Sequence, residues 1–146
     1  MPTVVEPRKS LGAASPAMHR FPPVDELRYL VGTTLAQITE DPYQVSFLLT
    51  NDRGGTTLTS EYAFEFRQSN GHAEVHRPEQ KSSNFGPCQF HKLLDDIVVG
   101  VELSADELQL CLSFAGGSNL TILSDLGGHE AGTIACGFGS QKHWVF

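Results

Sequence analysis

The chain has 146 residues, with ten Lys and Arg against seventeen Asp and Glu and a formal net charge of −7 at pH 7. That length fits one domain with its own core, without the disulfides or metals that smaller folds need. The acid excess argues against a nucleic-acid partner, whose phosphates are bound by Lys and Arg, and no apolar run reaches the ~18 to 20 residues of a membrane helix.

Residues 1–23 read as a disordered N-terminal tail. Pro2, Pro7, Pro16, Pro22 and Pro23 are mixed with Ser, Gly and Ala, and such a segment gains too little burial to offset its ordering entropy. Removing Met1 to Phe21 is therefore expected to change stability little. No apolar stretch follows Arg8 and Lys9, so a secretory signal is not expected. Cys88, Cys111 and Cys136 are odd in number and form no C-x-x-C pair. Free thiols in a cytoplasmic setting are the expectation.

A single β-rich domain is expected over residues 24–146. Asp25 to Leu30 opens it as a short helical turn, acids first and Arg28 later, ended by Gly32. A strand follows from Thr33 to Thr39, and Asp41-Pro42 marks a turn. Tyr43, Val45, Phe47 and Leu49 then alternate with Gln44, Ser46 and Leu48. After the turn at Asn51 to Gly55, Leu58, Ser60, Tyr62, Phe64 and Phe66 line one side of a long strand. Residues 68–89 are polar and irregular. Within them His72 and His76 form H-x-x-x-H, a metal pattern on a helix. Val75 and the flanking Gly71 and Pro78 favour a strand, where two such rings stand roughly 13 Å apart. No metal and no cofactor are expected.

A second turn, His91 to Asp96, leads into Ile97, Val99, Val101 and Leu103, set against Gly100, Glu102 and Ser104. Leu108, Leu110, Leu112 and Phe114 form the next run, and Ala115 to Asn119 close a hairpin. Gly132 to Cys136 and His143 to Phe146 are extended again. Laying one half over the other aligns Tyr43 to Phe47 with Leu108 to Leu112, Gly55 to Thr59 with Gly117 to Thr121, and Leu30 with Leu93. The fold expected is mostly β: an antiparallel sandwich or partly open barrel of about eight strands. It is built from two repeated strand–turn–strand units, residues 27–67 and 91–125, with two short helical turns.

The plan of Leu30-Val31-Gly32 turn, hairpin, and the same again, with a late His129-Glu130-Ala131 and a terminal apolar strand, resembles a group of small uncharacterised bacterial β-rich proteins. The resemblance spans Leu27 to Phe146. It implies the β fold and a bacterial source, and carries no activity. Asp95 departs from it, standing where Gly32 stands in the first half.

Function is approached by elimination. No Gly-x-Ser-x-Gly elbow or H-E-x-x-H occurs, and Gly116-Gly117 joins two strands, whereas a phosphate loop leads into a helix. The expectation is a non-enzymatic protein-binding module, of the immunity or inhibitor kind, that neutralises a partner through an acidic surface. Asp95 and Asp96, or Asp125 and Glu130, are its candidate binding residues, because loops on rigid scaffolds are where binding concentrates. The alternative is a small enzyme or ligand-binding β-barrel using His129, Glu130 and Asp125 as an acid–base cluster. A polar cavity beside His129 would favour the enzyme. A filled core with an exposed apolar or acidic patch would favour the binding module. An edge strand offers a route to a homo-oligomer; no nucleic acid and no membrane are expected as partners.

Overall fold

The computed structural model describes residues 21–78, 89–124, 130–136 and 142–146. These form ten strands: β1 (Thr34–Glu40), β2 (Val45–Asn51), β3 (Gly54–Ser60), β4 (Ala63–Arg67), β5 (Ala73–His76), β6 (Val98–Leu103), β7 (Gln109–Phe114), β8 (Asn119–Leu123), β9 (Gly132–Cys136) and β10 (Lys142–Val145). One antiparallel sheet has the order β1-β2-β3-β9-β10, the other β5-β4-β8-β7-β6. The two make a sandwich and not a closed barrel. Short 3-10 turns, Val24–Glu26, Arg28–Leu30 and Phe90–Leu93, precede β1 and β6. No helix among the described residues is long and apolar enough to cross a membrane.

Each half of the chain lays down a three-stranded meander and then crosses to the other sheet. β3 ends at Ser60, the chain bends at Glu61 and Tyr62, and β4 pairs with β8. β9, in turn, pairs with β3. The registers correspond: Leu58 faces Phe47 on one side and Ile134 on the other, as Leu120 faces Leu112 and Phe66. Glu61 and Tyr62 N–H both donate to Ala131 O, at 2.7 and 3.2 Å, so the first crossing is tied to the segment entering β9. Alternation alone makes Leu58 to Phe66 one long strand. The bend instead divides it between two sheets, which takes the strand count above eight.

Leucines and phenylalanines dominate the core. Phe47, Phe64 and Phe90 meet edge to face, with centroids 5.1–6.3 Å apart. Gly132 holds the register position on β9 that Phe64 holds on β4. A Cβ there would lie 2.5 Å from Phe146 Cζ and would strike the Thr59 carbonyl. The space that a side chain would take belongs to Phe146, whose ring stacks on Phe21 at 4.2 Å. Phe21 is 4% exposed and Pro22 is buried, so the end of the stretch counted as tail belongs to the core. The rest of that stretch, residues 1–20, lies outside the described residues.

Candidate binding face

The two sheets are joined along one edge by the starts of β1 and β6. Gly32 N–H donates to Val98 O and Asp95 N–H to Leu35 O, each at 2.8 Å. Val98 N–H donates to Thr33 O at 2.9 Å, and Leu35 N–H to Asp96 O at 3.0 Å. Thr34 and Ile97 face each other at the centre as an antiparallel bridge. The four bonds map onto one another when the halves are exchanged, so a local twofold axis passes through that bridge. Both turns reach it by positive φ, 94° at Gly32 and 72° at Asp95. Asp is among the few L residues that adopt this region readily, so Asp95 satisfies the backbone requirement that Gly32 meets in the first half.

Asp96 is also occupied. Its carboxylate accepts Ile97 N–H at 2.8 Å and lies 3.3 Å from Gly116 N through each oxygen. It fastens the β7–β8 hairpin to the seam. Asp95 remains exposed. Of the second candidate cluster, Asp125 and His129 lie outside the described residues, and Glu130 is exposed ahead of β9.

The seam exposes aliphatic side chains. Val31 is 46% exposed, Leu94 41%, Ile97 44% and Val99 55%. Val31 and Leu94 hold corresponding turn positions just before Gly32 and Asp95. Ile97 and Val99 lie on the outer side of the ladder, while Val98 and Val101 point inward, 0% and 8% exposed. Strict alternation placed Ile97 and Val99 in the core. A bulge between Val98 and Gly100 resets the alternation, because one extra residue shifts every later side chain to the other face. A matching bulge lies between Leu35 and Gln37.

Beside the seam an open cleft of about 330 Å³ is lined by Gly32, Thr34, Thr50, Asn51, Asp52 and Arg53. On the opposite flank β5 is an edge strand, as expected for the H-x-x-x-H string. His76 Nε2 lies 2.8 Å from Glu74 Oε1, which also accepts Gln89 N–H at 3.0 Å. His91 Nε2 lies 2.6 Å from Glu40 Oε2. Among the described residues no group of three His, Cys, Asp or Glu could hold a metal ion. Deeper in, Thr56 Oγ1 is 3.1 Å from the Tyr29 hydroxyl. Burial pushes the Tyr29 phenol well above its ordinary range, Thr56 opposes the shift, and Cys136 adds to it. Among the described residues Cys111 and Cys136 form no disulfide; Cys88 lies outside them.

Compared with protein-family models, curated proteins and solved structures, the chain matches none. The resemblance to small bacterial β-rich proteins rests on the sequence motifs alone.

Proposed function

We propose that the protein is a non-enzymatic protein-binding module of the immunity or inhibitor kind, and that it engages its partner through the seam face. One observation carries the reading: Val31, Leu94, Ile97 and Val99 stand exposed around a rigid, hydrogen-bonded bridge. Aliphatic side chains gathered on one rigid face mark interaction surfaces more often than singly scattered ones do. Asp95 supplies an acid at its rim, which would speed encounter with a basic partner and make that encounter salt-sensitive. Asp96 supports the hairpin and contributes shape. The enzyme alternative turns on Asp125 and His129, which lie outside the described residues; Glu130, the third member of its cluster, is exposed.

The test is site-specific photo-crosslinking in the native host. A photoreactive residue replaces Ile97 or Val99 in one set of strains, and Tyr43 or Val75, exposed away from the seam, in another. A discrete adduct from the seam positions and none from the controls supports the reading. An adduct of twice the chain mass would identify the partner as a second copy. Adducts from the controls alone would overturn the reading.

A further inference from the structure

One difference between the halves suggests a ligand. In the second half the Asp96 carboxylate sits between Ile97 N–H and Gly116 N–H, so close that a Cβ on Gly116 would lie 2.8 Å from Oδ2. In the first half the corresponding residue is Thr33, which is buried and turns its hydroxyl back to Leu30 O at 2.6 Å. The corresponding hairpin has longer strands, seven residues each against six and five, and a tighter turn at Asp52-Arg53. Among the described residues no carboxylate reaches from the seam to this hairpin as Asp96 does to Gly116, and the cleft of about 330 Å³ opens beside Thr34 and Asn51.

The cleft lining suits an acid. Thr34 and Thr50 offer hydroxyls, Asn51 offers an amide, and Arg53 a guanidinium. Among the described residues only Asn51 Oδ1 of these groups has a partner, accepting Arg53 N–H at 2.8 Å. Arg53, like Arg77, forms no ion pair among the described residues, so its guanidinium is available to a ligand. A planar guanidinium with flanking donors matches a carboxylate in geometry and charge. We infer that this cleft is a carboxylate-binding site, the open counterpart of the place that Asp96 fills in the other half. Asp52 also lines it and weakens the attraction without forming an ion pair with Arg53.

The inference rests on the cleft and stands apart from the aliphatic face, so it can be tested without a protein partner. Amide NMR spectra of the full chain are followed during titration with sodium acetate. They are then followed with an N-acetylated tripeptide ending in a free carboxylate, and with the same peptide as its C-terminal amide. The expected result is saturable shifts at Thr34, Thr50 and Asn51 with either carboxylate and none with the amide. Saturation by acetate alone points to a small free acid, and tighter saturation by the peptide points to a chain terminus. Arg53→Gln should weaken binding by about tenfold or more, the usual effect of losing a charge-assisted hydrogen bond. Asp52→Asn should strengthen it. Shifts that never saturate, or affinities indifferent to Arg53→Gln, would overturn the inference.

Discussion

Asp95 and Gly32 meet one backbone requirement with two residue types, and their comparison yields a stability test. Both sit at positive φ and both donate across the seam. Asp95→Gly should leave stability unchanged or raise it by up to about 1 kcal/mol, since glycine takes this conformation without strain. Asp95→Ala should cost about 1 kcal/mol. Urea denaturation measures both, and an alanine variant more stable than the glycine one would contradict the assignment. Tyr29 gives a pH test. Its phenol keeps its proton in the folded chain, mainly through burial, to higher pH than in the unfolded chain. The folded state thus holds more protons above pH ~10, the ordinary phenol value, and stability should fall as pH rises past it. Below that value the contribution is intact. Tyr29→Phe should therefore flatten the alkaline decline, and an unchanged slope would show that Tyr29 does not cause it.

At the scale of elements, β9 and β4 solve the same packing problem in opposite ways, Gly132 yielding to Phe146 where Phe64 fills its own place. Gly132→Ala has no room to relax, because the Thr59 carbonyl is backbone. It should destabilise by roughly 1–3 kcal/mol, the usual cost of overpacking, read as a lowered melting temperature; an unchanged melting temperature would mean the crossing is loose. Much at this scale was legible in sequence. Alternation located the hairpin strands, and the alignment of Val45 with Leu110 and Leu58 with Leu120 places residues that share a register. Alternation did not show the bulge at Val99 or the bend at Glu61-Tyr62, because both depend on which strand lies alongside. Phe21 was missed for the same reason: its partner, Phe146, is at the other end of the chain. The exposed aliphatic seam followed the bulge out of view, since Ile97 and Val99 look like core until the alternation resets.

At the scale of the whole molecule, the crossing strands make each half complete the other's sheet, so the seam and its twofold bridge exist only in the assembled sandwich. A face built this way would keep its shape in the proposed binding, which would lower the ordering cost of association. On the proposed reading its aliphatic positions would carry most of the affinity, with Asp95 acting on encounter rate. The most direct test uses the partner captured by crosslinking and measures its affinity for the native chain and for an Ile97→Ser, Val99→Ser double variant. Both positions are exposed, so thermal melting should confirm a folded variant before affinity is compared. Binding weakened by about tenfold or more, the loss of over 1 kcal/mol expected of central interface residues, is the predicted result. Equal affinity in a folded variant would contradict the assignment of the seam as the binding face.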